Sequence, residues 1–231
     1  MTRVKICGLT APEDLRVAVD AGADAVGLLV DVPVDSPREI DVQRAVEIAD
    51  AVPPFVTSVL VTMPDSPERT VELVRTVEPD AVQVHGDASV DDLAYLTSSV
   101  EAKVIKVVDA DDPETARRYD DVADALLVDS VDDEGAGGTG ETHDWDRTAE
   151  VVSTFDSPVV LAGGLTPTNV ADAVQTVEPF AVDVASGVDR DERADDESTA
   201  SETPAPTGRK DPDAVADFVA NAKRTQSTPT P

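Results

Sequence analysis

Residues 159–188 read VVLAGGLTPTNVADAVQTVEPFAVDVASGV, and this stretch decides the fold. An apolar run (Val159–Ala162) breaks at Gly163-Gly164. Pro167–Val177 then carries apolar residues at helical spacing, and Ala181–Val184 is apolar again. Strand, helix, strand in that order is the unit that lays two strands parallel under a covering helix. Working outward, the unit repeats. Strands are predicted at Arg3–Cys7, Ala25–Val30, Phe55–Thr62, Ala81–Val84, Lys103–Val108 and Ala125–Asp129 as well as the two already quoted. Helices are predicted at Pro12–Ala21, Val42–Ala51, Pro67–Val77, Val90–Ser98, Pro113–Asp121, Asp144–Thr154, Pro167–Val177 and Pro212–Arg224. Eight strands, each followed by a helix, is the count of an α/β (β/α)8 TIM barrel; an open doubly wound sheet uses fewer strands and needs a switch point. Residues 1–225 are read as that single domain.

Local chemistry supports the punctuation. Several helices begin with Pro, whose missing N–H has no partner to lose in a first turn. Ser66-Pro67 and Thr166-Pro167 place a capping hydroxyl just ahead of it. Four helix-to-strand turns share a small pattern: Gly22–Ala25, Glu78–Ala81, Asp121–Asp124 and Glu178–Ala181, the first three with an Asp directly before the apolar strand. One stretch breaks the barrel rhythm. Residues 189–208 (DRDERADDESTASETPAPTG) are acidic and nearly devoid of apolar side chains. They read as a disordered acidic insertion between strand eight and helix eight, far longer than such connections usually are. Residues 226–231 read as a frayed tail.

The chain of 231 residues holds 18 Lys and Arg against 48 Asp and Glu, a formal charge of −30. Such a surface repels phosphate backbones and anionic lipid, so no nucleic acid and no membrane partner is expected. The excess runs along the whole chain, as in the solvated shell of halophilic proteins of the cytosol. Structure is therefore expected to weaken in dilute buffer and return in molar KCl. With one cysteine, Cys7, there is no internal disulfide, which fits a reducing, cytoplasmic location. Two histidines, His85 and His143, make no zinc cluster.

In a barrel of this kind, chemistry sits where strands end. Cys7 closes strand one, with Lys5 two residues back on the same strand face; a nearby ammonium is expected to lower the thiol toward neutrality and make it a usable base. Asp129 closes strand six, where a carboxyl can deliver the proton that another group removes. Glycine turns follow strands seven and eight, at Gly163-Gly164 and around Ser186-Gly187, and their free N–H groups suit a phosphate. Arg38, after strand two, has the fork geometry to grip a carboxylate. His85 ends strand four as a polar group lining the mouth. Gly135–Gly140 satisfies G-x-G-x-x-G literally, but it does not directly follow a strand, and Glu141 stands where a phosphate-binding loop needs Lys; it reads as a mobile loop over the site.

The motifs KICGLT (Lys5–Thr10), GADAVG (Gly22–Gly27), SPR (Ser36–Arg38), DAVQVHG (Asp80–Gly86), LLVDS (Leu126–Ser130), GGTG (Gly137–Gly140) with Asp144-Trp145, LAGGLTPTNV (Leu161–Val170), DVASGV (Asp183–Val188) and Lys210-Asp211 occur in this order across nearly the whole chain. The set closely resembles the phosphoribosylanthranilate isomerase family of tryptophan biosynthesis. That resemblance implies an Amadori rearrangement of a phosphorylated sugar-anthranilate substrate, with Asp129 as general acid and Cys7 as general base. It further implies Arg38 on the anthranilate carboxylate, Gly163, Gly164, Ser186 and Gly187 around the phosphate, and Asp183 on sugar hydroxyls. No cofactor and no metal is implied, because the substrate's own iminium is the electron sink, and a monomer or a homodimer is implied as the working form. Ala185, Glu141 and His143 depart from residues frequent in the family. Among alternatives, indole-glycerol-phosphate synthase would use a Lys acid and a Glu base, and a pentose-phosphate epimerase would need histidine ligands. A noncatalytic phosphosugar-binding barrel would have no need of both Cys7 and Asp129.

Overall fold

Along Arg3–Cys7 (β1) the side chains alternate between two destinations. Val4 and Ile6 enter the apolar layer beneath the helices, whereas Lys5 and Cys7 turn inward. The computed structural model describes residues 1–110, 112–129, 145–190 and 208–224. Following β1 come α1 (Pro12–Asp20), β2 (Ala25–Leu29), α2 (Val42–Asp50), β3 (Thr57–Thr62), α3 (Pro67–Val77), β4 (Ala81–Val84) and α4 (Val90–Ser99). The second half runs β5 (Lys103–Asp109), α5 (Pro113–Tyr119), β6 (Ala125–Asp129), α6 (Trp145–Val152), β7 (Val159–Leu161), α7 (Val170–Val177), β8 (Ala181–Val184), a short 3-10 turn at Ser186–Val188 and α8 (Pro212–Arg224). Every strand pairs in parallel with the next, and β8 returns to β1, so the sheet closes into the expected (β/α)8 barrel.

Two apolar regions hold it. Between sheet and helices lies a continuous aliphatic layer that includes Leu28, Leu60, Val82, Leu126, Val182 and Phe218. Inside the barrel, small aliphatics such as Val59, Val61, Ala81, Val107, Leu127 and Ala181 fill the lumen. With so few aromatics in the chain, close packing of branched side chains replaces large rings. At the N-terminal end of the barrel the turn aspartates find their purpose. Asp24 accepts the Val4 N–H at 2.9 Å, Asp80 the Ser58 N–H at 2.8 Å, and Asp124 the Val104 N–H at 2.8 Å. Each carboxylate ties off the start of the strand before its own, which explains why an Asp precedes those three strands. At the fourth turn Phe180 takes that position and lies under the Arg3 guanidinium at 4.2 Å.

Three expectations are corrected. Helix seven was expected from Pro167 with Thr166 as cap. It begins at Val170, because Asn169 Oδ1 accepts the Thr166 N–H at 2.7 Å and the Thr166 hydroxyl pairs with Thr168. Strand three starts at Thr57 rather than Phe55, whose positive φ of 74° and fully exposed ring are incompatible with a covered strand. The insertion is narrower than 189–208: Asp189 and Lys210 form an antiparallel bridge, and Arg190 N–H donates to the Arg209 carbonyl at 2.9 Å. The remaining insertion residues, 191–207, the tail 226–231 and the glycine run at 135–140 lie outside the described residues. Ser66, by contrast, caps α3 as expected through the Arg69 N–H.

Candidate active site

A cavity of about 130 Å³ opens at the C-terminal ends of the strands, lined among others by Cys7, Arg38, Gln83, His85, Asp129, Asp183 and Ala185. The structure thus brings the thiol of β1 and the carboxyl of β6 to one mouth, together with Asp183 from β8 and the Arg38 loop. A larger hollow of about 220 Å³ lies between α3 and α4, lined by residues such as Asp65, Thr70 and Leu93, and contains none of the predicted site residues.

Cys7 sits opposite Gly27 in the β1–β2 register. A Cβ at Gly27 would lie 2.7 Å from Cys7 Sγ and 3.2 Å from Lys5 Cε, so the missing side chain is what gives both groups room. The expectation that Lys5 lowers the thiol is corrected here. Burial pushes the Cys7 thiol up, and the Lys5 charge opposes this without overcoming it. The reason is visible in the geometry: Lys5 Nζ donates to Asp183 Oδ2 at 2.8 Å, across 178 residues of chain. The ammonium is stabilised against burial by that carboxylate and is shared rather than devoted to sulfur. Asp183 lines the cavity, and its Oδ1 is buried with no hydrogen-bond partner among the described residues.

Sequence reasoning treated His85 as a lining group and passed over Gln83. In the structure Gln83 Nε2 lies 2.9 Å from His85 Nε2, across two residues of one strand face. Burial, with Lys5 and Lys106 nearby, drives the His85 pKa down to about 3, so the ring stays neutral. An amide nitrogen can only donate, so His85 Nε2 accepts and its proton sits on Nδ1. Lys210 was also missed as a site residue. It is buried two residues ahead of α8, with its ammonium on the Ala185 carbonyl at 3.0 Å and on Asp189.

The glycine turns are built as a pair. Gly163 and Gly164 have positive φ of 86° and 59°, and Asn169 Nδ2 holds the Gly164 carbonyl at 2.9 Å. A Cβ on Gly187 would fall 2.0 Å from the Leu165 carbonyl oxygen, so only glycine lets the β8 turn dock on the β7 turn. Within the described residues, the N–H groups of Gly163, Gly164, Ser186 and Gly187 donate to no acceptor. Four open donors on two touching turns can surround one anion.

Fold and rim together place the chain among the (β/α)8 barrels that gather their polar groups where the strands end. Within that class, the sequence model of the N-(5'-phosphoribosyl)anthranilate isomerase family matches residues 4–201, and the chain belongs to this family. It is 58% identical over 224 residues to the N-(5'-phosphoribosyl)anthranilate isomerase of Halorubrum lacusprofundi, covering 97% of this chain and 98% of that one. With the corresponding protein of Natronomonas pharaonis it shares 60% over 219 residues, 95% and 97% of the two chains. A solved phosphoribosyl anthranilate isomerase in complex with reduced 1-(o-carboxyphenylamino)-1-deoxyribulose 5-phosphate superposes with a TM-score of 0.77 at 35% identity, over 96% of this chain and 99% of the other.

Proposed function

We infer that this chain isomerises N-(5'-phosphoribosyl)anthranilate to 1-(2-carboxyphenylamino)-1-deoxyribulose 5-phosphate, the Amadori step of tryptophan biosynthesis. The observation that carries the reading is the meeting of Cys7 and Asp129 in one cavity that Arg38 and Asp183 also line. Asp129 gives a proton to the ribose ring oxygen as the C1–O bond breaks, and the nitrogen lone pair forms the iminium. Cys7, as thiolate, removes the C2 proton; the electrons move into the C1–C2 bond and neutralise the iminium, giving an enolamine that tautomerises to the ketone. Arg38 holds the anthranilate carboxylate, Asp183 accepts from a sugar hydroxyl, and Gly163, Gly164, Ser186 and Gly187 surround the phosphate with N–H donors.

The raised thiol fits this order of events. With Lys5 held by Asp183, the free site lacks a cation devoted to sulfur. Ring opening creates one next to it, so once the acid has acted more of the thiol is ionised and the C2 proton beside the iminium is more acidic. The substrate is a small phosphorylated molecule, and a cytoplasmic location belongs to the same proposal. Among the described residues no helix is long and apolar enough to cross a membrane.

Turnover tests the reading: purified protein in molar KCl, mixed with phosphoribosylanthranilate, extinguishes the anthranilate-type fluorescence. Cys7→Ser abolishes the rate while binding persists. Because burial raises the free thiol, kcat/KM climbs with pH through the ordinary thiol range instead of levelling off below it. A protein without turnover, or a Cys7→Ser variant with unchanged rate, discards the assignment.

A further inference from the structure

Arg38 is held in a way that its proposed task does not by itself require. Its Nε donates to Asp189 Oδ2 at 2.9 Å, while its two terminal nitrogens donate to no acceptor among the described residues. The stem is confined as well. Gly8 and Gly208, with positive φ of 74° and 87°, face it so closely that a Cβ would come within 2.6 Å of Arg38 Cδ and 3.0 Å of Arg38 Cγ. Asp189 is fixed from its other side, where Oδ1 takes the ammonium of Lys210, a side chain with no exposure. The bridge between Asp189 and Lys210 closes the loop on which both sit.

We propose that Asp189 is a positioning residue for carboxylate recognition: clamped by Lys210, it takes the Nε edge of Arg38 and aims the remaining edge of the guanidinium at the substrate's ortho carboxylate. A guanidinium offers separate two-donor edges, and occupying Nε leaves the terminal pair free for a bidentate contact. The surroundings make such an anchor necessary. In a chain with 48 acidic and 18 basic residues, an unanchored arginine on a rim loop has many competing carboxylates to fold onto. Asp189 removes that choice by offering one carboxylate at the edge the substrate does not use.

The inference rests on the reading of Arg38 given above, and its test separates the two. The full chain in molar KCl is assayed on phosphoribosylanthranilate and on the analogue carrying aniline in its place, which lacks the carboxylate. Asp189→Asn raises KM for the carboxylate-bearing substrate by about tenfold or more, as loss of a charge-assisted contact does. Its kcat stays within about threefold, and KM for the aniline analogue is unchanged. Lys210→Met, which frees Asp189 from its other side, gives a smaller rise with the same selectivity. A loss shared equally by both substrates shows a merely structural role and overturns the inference, as does no loss in either variant. If Arg38→Met leaves KM for the carboxylate-bearing substrate unaltered, the reading of Arg38 falls and the inference falls with it.

Discussion

The two ends of this barrel use the same residue type in opposite ways. At the N-terminal end, Asp24, Asp80 and Asp124 each accept a strand N–H, and Asp24 and Asp124 also meet Lys223 and Lys103 at 2.8 Å. At the C-terminal end, among the described residues, Asp183 keeps one buried oxygen without a partner, as does the Gln83 amide oxygen, and four backbone N–H groups donate to no acceptor. One end closes its hydrogen bonds on itself; the other leaves polar atoms unpaired among the described residues. A buried polar atom without a partner weakens a fold, so on the proposed function the open end is where stability is given up for binding and catalysis. The largest way to sharpen this contrast is Asp129→Asn. It lowers kcat by about a thousandfold, close to 4 kcal/mol of barrier, as loss of a general acid does. Its melting temperature stays within about 2 °C of the parent, since removing one charge from the open end relieves the fold as much as it loosens it.

His85 gives the next largest effect, and it separates the ends by pH. Its pKa is lowered to about 3 by burial, against 6.5 in the unfolded chain, so the folded state binds fewer protons. The stabilising contribution of the neutral ring is complete above pH 6.5 and is lost as pH falls toward 3. By pH 4.5 the loss is roughly 3 kcal/mol, two pH units below the unfolded value. His85→Gln removes this slope: denaturant titrations of parent and variant, compared at pH 7.5 and pH 4.5, differ by that amount in how far stability falls. Equal falls in the two proteins would mean that the open end carries no buried, neutral imidazole.

Asp124→Ala probes the closed end. It strands the N–H of Val104, which is fully buried, and is expected to remove about 1–3 kcal/mol. At roughly 2–4 °C per kcal/mol for a domain of this size, the melting temperature drops by several degrees. Turnover per folded molecule does not change. A variant that loses kcat instead would erase the division of labour between the ends.

The barrel itself was legible because each strand and helix carries its own periodicity, and the helical repeats needed only counting. The placement of the rim residues was legible for a similar reason. Cys7, Asp129, Arg38 and the glycine turns are all adjacent to strand ends, and strand alternation correctly put Lys5 and Cys7 on one face. What failed was everything set by partners distant in sequence. The Lys5–Asp183 pair joins residues 178 apart and Arg38–Asp189 joins residues 151 apart; periodicity says which face a side chain takes, never which group it meets across the barrel. So the thiol is expected from its neighbour to be lowered, whereas burial raises it and the ammonium beside it is shared with Asp183. Gly27 passed for part of a turn-and-strand motif, although its role is the space it leaves for sulfur. Asn169 reads as part of the first turn of a helix, although it holds the glycine turn ahead of that helix.

The smallest expected effect is electrostatic and reaches both ends from outside. The proposed substrate carries a carboxylate and a phosphate toward a chain of formal charge −30. At about 0.1 M salt the Debye length is ~10 Å, so distant carboxylates still repel the incoming anion; at about 1 M it is ~3 Å and only the rim's own donors are felt. KM therefore falls by a few-fold as KCl rises from dilute to molar, measured at concentrations where the protein stays folded. The closed end behaves differently. The Asp124 contacts span 2.8 Å, shorter than the screening length at either salt, so the loss caused by Asp124→Ala is nearly the same in both. A KM that rises with salt would mean that short-range attraction from Arg38 and the glycine turns outweighs the field of the whole surface. In that case the acidic shell would serve solubility and folding alone, and the open end would be insulated from it.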